Sequence, residues 1–92
     1  MTAQKTRKIE QSLTSKGFVL DDTHHRYFHL EINGEKQHIF TYFSHGQNEL
    51  GAKLLAMMAK QLKLKKKELD DLINCPLSKE DYIQILRKNQ EL

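Results

Sequence analysis

Two histidines, His24 and His45, are the residues best suited to acid-base chemistry, because each lies beside residues that favour turns. Imidazole has a pKa of about 6.5, so it exchanges protons readily near neutral pH. Metal-free cleavage of RNA needs such a base, since the ribose 2′-hydroxyl must give up its proton. We predict that His24 is the base and that His45, next to Gly46, assists the leaving group. The competing interpretation is a half-buried structural His24 and a His45 that only caps a turn.

A second set of residues is suited to stacking on bases. Tyr27, Phe40 and Tyr42 alternate with apolar residues in two β-prone runs, which places them on one face of a sheet. Single-stranded bases stack on such rings. The neighbours suited to the RNA backbone are His25, His29 and Lys36. Two alternatives stay open: this face docks a protein partner, or the C-terminal helices cover it.

Positive charge is concentrated at residues 60–67, where five of eight residues are lysines. A local cluster of like charge attracts phosphate in a salt-sensitive way, although a solvated helix end looks the same in sequence. Lys67 belongs to this cluster. The residues predicted to bind RNA are Arg26, Tyr27, Lys36, Lys53, Lys60, Lys63, Lys65 and Lys66.

The sequence offers little for metal or thiol chemistry. His25 and His29 share a predicted sheet face but stand about 13 Å apart on an extended strand, too far to bind one ion. His29 and His38, predicted to be opposite each other, lack a third ligand. Cys75 is the only cysteine, which excludes internal disulfides and cysteine-based zinc sites. We therefore expect no metal, no other cofactor and an inert thiol.

The strongest structural signal is Asn33-Gly34 between the two β-prone runs, which favours a two-residue type I′ hairpin turn. Counting outward from this turn fixes a register. It pairs Glu31 with Lys36, Leu30 with Gln37, His29 with His38, Phe28 with Ile39, Tyr27 with Phe40 and His25 with Tyr42. The face predicted to pack on helices carries Phe28, Leu30, Ile32, Ile39 and Phe43.

Periodicity and end signals predict the other elements. They are a helix over about 4–15, a strand over 18–20 ended by Asp21-Asp22, a helix capped by Asn48, a helix over 66–73 and a helix opened by Ser78. The order α-β-β-β-α-α-α predicts an α+β fold. In it, a three-stranded antiparallel sheet has helices on one face and a C-terminal helical extension follows.

Length and charge set the outer limits. Ninety-two residues make one domain, and the formal net charge of +3 permits a polyanionic partner without requiring one. The longest apolar run covers only residues 54–59, too short to cross a bilayer, and the first eleven residues hold no export-like stretch. We expect a cytoplasmic protein with no membrane partner.

Several short motifs occur in an order that resembles the HicA toxins. That family has a helix, a Lys/Asn-Gly-Phe segment, a Gly-Ser-His-His-x-Tyr/Phe strand, and a Val-His-Gly segment followed by Glu-Leu-x-x-Gly-Thr-Leu. The resemblance covers about residues 9–69. The corresponding segments here are Lys16-Gly17-Phe18, Asp22-Thr23-His24-His25-Arg26-Tyr27, Ser44-His45-Gly46 and Glu49-Leu50-Gly51-Ala52-Lys53-Leu54.

This resemblance implies a double-stranded-RNA-binding-like fold over residues 1–64, with residues 65–92 as the extension. It also implies metal-independent endonucleolytic cleavage of mRNA, with His24 as the functional histidine, a HicB-like antitoxin as partner, and no DNA bound by the chain on its own. The chain departs from the family at Asp22-Thr23, which replaces Gly-Ser, and at Ala52, which replaces Thr. The alternative is therefore a non-catalytic module of the same fold that binds RNA or a protein.

Overall fold

The computed structural model describes residues 3–22, 25–44, 46–74 and 76–92, and these form nine elements. The predicted α+β class and the three-stranded antiparallel sheet, in the order β2-β3-β4, are confirmed. The strands are β1 (Gln4–Lys5), β2 (Phe18–Asp22), β3 (Arg26–Ile32), β4 (Glu35–Phe43) and β5 (Glu49–Leu50). The helices are α1 (Thr6–Ser15), α2 (Ala52–Gln61), α3 (Lys66–Ile73) and α4 (Lys79–Lys88).

The hairpin turn is as predicted, because Asn33 and Gly34 both have positive φ, at 54° and 80°. The register is right only near the turn, where Glu31 pairs with Lys36. Beyond it, three residues of β4, 37–39, lie opposite the single residue Leu30, so every later pair moves by two positions. His29 is opposite Phe40 and not His38, and Tyr27 is opposite Tyr42 and not Phe40. We call this irregularity the β4 bulge.

The two-residue shift leaves the assignment of faces intact, because side chains alternate with a period of two. Phe28, Leu30, Ile39 and Phe43 are buried, as predicted for the core face. Strand β2 continues through Asp22, past the predicted end at Leu20, with Asp21 opposite Tyr27. Both aspartates are exposed on an edge strand, where their turn preference is not decisive.

A second, two-stranded sheet was not predicted. Gln4 pairs with Leu50 and Lys5 with Glu49, so α1 begins at Thr6. The predicted N-cap Asn48 is wrong, because its carbonyl accepts the Thr6 N–H at 3.0 Å and α2 begins after Gly51. Strands of two residues depend on pairing between distant segments and leave no periodic signal in the sequence.

The last two helices agree with the prediction and complete the core. Helix α3 has the predicted bounds, and the Ser78 hydroxyl caps α4 by accepting the Asp81 N–H at 3.1 Å. Helix α1 holds the end of α3, because the Ser12 hydroxyl donates to the Ile73 carbonyl at 2.6 Å. Buried Tyr82 of α4 stacks on Phe18 with ring centroids 5.8 Å apart.

All four helices contribute buried apolar side chains to the same core as the sheet. Helix α1 contacts β2 and helix α2 contacts β4. The helices therefore lie on the core face of the sheet, and none of the described elements covers the other side, which we call the outer face. Within the described ranges, no helix has the length and apolar character needed to cross a bilayer.

Candidate nucleic-acid interface

The outer face is arranged in rows that run across the three strands. One row holds Asp21, Tyr27 and Tyr42, since Asp21 pairs with Tyr27 and Tyr27 with Tyr42. The next holds Val19, His29 and Phe40. Facing side chains in such rows lie about 5 Å apart at Cβ, so they form a continuous surface.

Four rings on this face touch one another. Tyr27 and Tyr42 have centroids 5.2 Å apart, and Tyr27 lies 6.2 Å from Phe40. His25 extends the group, with its ring 6.0 Å from Tyr27 and 5.5 Å from Tyr42. These distances fall in the range of interacting aromatic pairs. We call His25, Tyr27, Phe40 and Tyr42 the ring cluster.

The ring cluster remains accessible to a ligand. Phe40 is 45% exposed and Tyr42 is 40% exposed, large fractions for aromatic side chains. The alternative in which the C-terminal helices cover this face is wrong, because Tyr82 and Leu86 of α4 are buried in the core on the other side of the sheet. A contiguous exposed apolar patch of this kind is typical of a binding surface.

Polar side chains border the rings. His29 Nε2 lies 3.1 Å from Glu31 Oε2, and its side chain is only 12% exposed, so its ring is held in place. Lys36 is exposed and directly opposite Glu31. Beside the β4 bulge, an open cavity of about 450 Å³ is lined by Asp21, Tyr27, His29, Lys36, His38 and Phe40.

The structure separates the residues that the sequence predicts to bind RNA. Tyr27 and Lys36 are together on the outer face. Arg26 has the opposite orientation, toward α1, where its guanidinium forms an ion pair with Glu10. The remaining members are exposed and belong to the helical layer. They are Lys53 and Lys60 of α2, Lys63 and Lys65 between α2 and α3, and Lys66 at the start of α3.

The two catalytic candidates, His24 and His45, lie outside the described residues, as does Cys75. Their roles stay predictions. His25, which follows His24, is at one end of the ring cluster. Gly46, which follows His45, has a φ of +85°, a conformation that glycine adopts at low cost.

The structure bears on one histidine pair considered for metal binding. The β4 bulge removes the pairing of His29 with His38 on which a two-histidine site depended. Over the described parts of the chain, no three His, Cys, Asp or Glu side chains are grouped so that they could hold a metal ion.

Sequence reasoning missed the contribution of β2 to this surface. The sequence predicts a short strand at Val19 and a turn at Asp21, but in the structure both residues alternate with the inward-facing Phe18 and Leu20. That alternation was the available signal. Gln37 and His38 line the cavity because of the β4 bulge, and no pattern in the sequence predicts that bulge.

Comparisons with known proteins add no relative: no family model, no curated protein and no solved structure matches this chain. The function must therefore be inferred from the side chains and their arrangement.

Proposed function

We propose that this protein binds single-stranded RNA on the outer face of its sheet. The observation that carries the proposal is the ring cluster, in which Phe40 and Tyr42 are 40% or more exposed on a face that none of the described helices covers. Base stacking on an aromatic side chain contributes about 1–3 kcal/mol per base. Two or three bases stacked here would together contribute about 2–9 kcal/mol to the binding free energy.

The residues around the rings suit RNA as the ligand. Asp21 borders the rings on β2, Glu31 and Lys36 border them toward the hairpin turn, and the chain carries a net charge of +3. An exposed lysine beside stacking rings suits a nucleotide, since the base stacks on a ring while the ammonium attracts the phosphate.

The test is a binding series with a fluorescent ten-nucleotide RNA, followed by anisotropy. Tyr27→Ala and Tyr42→Ala should each weaken binding by about 5- to 150-fold, the equivalent of one lost stacking contact. Tyr42→Phe should bind nearly as well as the natural chain, because the ring remains. Leu92→Ala is the control, since Leu92 is a 39% exposed apolar residue that follows α4 in the helical layer. Equal affinity of both alanine variants and the natural chain would contradict the proposal.

Ribonuclease activity of the HicA type is a second proposal. It is supported by the order of elements from α1 to α2, which is the order that the resemblance implies, and by the place of His25 beside His24. In the proposed step His24 takes the 2′-hydroxyl proton, the 2′-oxygen attacks phosphorus, and the 5′-oxygen leaves with a proton that His45 supplies. The products are a 2′,3′-cyclic phosphate and a 5′-hydroxyl.

Cleavage of a long RNA in EDTA tests this step. His24→Ala should reduce the rate by about 10²- to 10⁴-fold while leaving RNA affinity intact. Gln11→Ala is the control, because Gln11 is an exposed polar residue of α1, whereas every described histidine borders the outer face. A substrate lacking 2′-hydroxyls should resist cleavage. Full activity of His24→Ala would contradict the assignment and leave a non-catalytic RNA-binding module.

A HicB-like antitoxin is the partner that the resemblance implies. We propose that it occupies the outer face, because a protein bound there would block the rings from RNA. Adding such an antitoxin should displace the fluorescent RNA competitively, and Tyr42→Ala should weaken both complexes.

A further inference from the structure

We infer that the cavity beside the β4 bulge is a guanine-binding pocket. This inference rests on the proposed function and names the base that the site favours. The cavity holds about 450 Å³, within the range of about 300–1,000 Å³ that is usual for small-molecule sites. Tyr27 and Phe40 both line it, and their ring centroids are 6.2 Å apart, so a base has an aromatic surface on which to stack.

The acidic side of the cavity selects the base. Asp21 stands opposite Tyr27 on β2 and is exposed, so its carboxylate is accessible at the cavity wall. A carboxylate is an acceptor only and binds two adjacent donors in a bidentate manner. Guanine presents such a pair in its N1–H and N2 amino groups. Adenine and cytosine place a ring-nitrogen lone pair beside their amino group, and uracil flanks its single N–H with two carbonyls.

The other side of the cavity is positively charged. Lys36 lies on β4 opposite Glu31, about 10 Å across the strands and about 13 Å along them from Asp21, and both side chains line the cavity. Among described residues Lys36 makes no ion pair within 4.0 Å, so its ammonium is available to a phosphate. A guanine nucleotide has a complementary arrangement. The hydrogen-bond donors of the base suit Asp21, and the negatively charged phosphate at the other end suits Lys36.

The β4 bulge completes this arrangement. It places residues 37–39 opposite one residue of β3, and Gln37 and His38 thereby line the cavity. The Gln37 amide nitrogen donates to the Glu35 carbonyl at 3.1 Å, which orients that side chain. His38 is exposed and can donate to the guanine O6 or N7, the acceptors that other bases do not present in this pair.

Two ten-nucleotide RNAs that differ by one guanine-to-adenine change test the pocket, together with an inosine version that lacks the 2-amino group. The guanine RNA should bind about 5- to 150-fold more tightly than the adenine RNA, as expected for one bidentate contact, and the inosine RNA should fall between them. Asp21→Asn should abolish the preference without weakening the adenine RNA. Asp22→Asn, the same charge change at the adjacent residue, should retain it.

An independent measurement uses mononucleotides and amide chemical shifts. Guanosine monophosphate should shift amides around Asp21 and Lys36, and adenosine monophosphate should not. Equal binding of all three RNAs, with binding still lost in Tyr27→Ala, would overturn the pocket and leave RNA binding intact. Guanosine-specific shifts without RNA binding would support the pocket and overturn the RNA proposal. A preference that survives in Asp21→Asn would also overturn the pocket.

Discussion

At the scale of single residues, Tyr82 shows how one buried polar atom is accommodated. The side chain is fully buried, and its hydroxyl donates to the Leu62 carbonyl at 2.9 Å. Burial raises the pKa of the Tyr82 phenol well above its usual value of 10.0, because the phenolate is disfavoured away from water.

Replacing Tyr82 with phenylalanine should therefore have two effects. At pH 7 the free energy of unfolding of the variant should be about 1 kcal/mol lower, because one hydrogen bond is lost and the Leu62 carbonyl is left unsatisfied. The unfolded tyrosine ionises near pH 10, so the stability from the neutral phenol is present below that pH and declines above it. Urea unfolding at pH 7, 9 and 10.5 should show a shallower alkaline decline in Tyr82→Phe. Identical pH profiles would contradict this account.

Individual residues of the site differ in how well the sequence reveals them. Tyr27, Phe40 and Tyr42 were predictable, because alternation with buried neighbours assigns a strand residue to a face whatever the register. Asp21 was not, because its turn preference pointed to the end of a strand that in fact continues to Asp22.

At the scale of elements, the connection from α1 to β2 depends on Gly17. Its φ is +96°, and a methyl group there would lie 2.7 Å from Cε of Lys79 at the start of α4. An L-residue is strained at this φ, and the methyl group also meets a side chain.

Gly17→Ala should therefore destabilise the protein by about 1–2 kcal/mol, measured by urea unfolding. The double variant Gly17→Ala/Lys79→Ala removes the atoms that the methyl group meets. The stability that it recovers relative to Gly17→Ala measures the contact, and the stability that stays lost measures the backbone strain. Gly34→Ala is the matched control, since its φ is +80° and nothing lies within 4 Å of the added atom. Unchanged stability of Gly17→Ala would contradict the interpretation.

Elements with local signals were predictable, and those set by distant pairing were not. The Asn33-Gly34 turn, the Ser78 cap and the stop after Ile73 are encoded within a few residues. The β1–β5 sheet joins residues 4–5 to residues 49–50, and the β4 bulge adjusts one strand to another. Neither feature has a signature in the residues that form it.

At the scale of the whole molecule, the aromatic and basic groups lie on different layers. The ring cluster is on the outer face, while Lys60, Lys63 and Lys65 belong to the helical layer. The sequence predicted both groups but could not show that the sheet separates them, because that depends on which face the helices cover.

This separation makes the salt dependence of RNA binding informative. Lys36→Ala should reduce the slope of log affinity against log salt by about 0.7–1, the contribution of one phosphate contact. Lys63→Ala/Lys65→Ala removes twice the charge from the helical layer and should change the slope by less. Anisotropy titrations between 50 and 300 mM salt measure both, and a larger effect of the lysine pair would place RNA on the helices.

The β4 bulge also bears on the aggregation of this protein at high concentration. Strand β4 is the last strand of its sheet and therefore presents backbone groups to solvent. A strand of another molecule could pair along a regular edge of nine residues, and such pairing is the first step toward amyloid-like stacking. The β4 bulge at residues 37–39 interrupts that template, so we expect it to disfavour edge-to-edge pairing of neighbouring molecules.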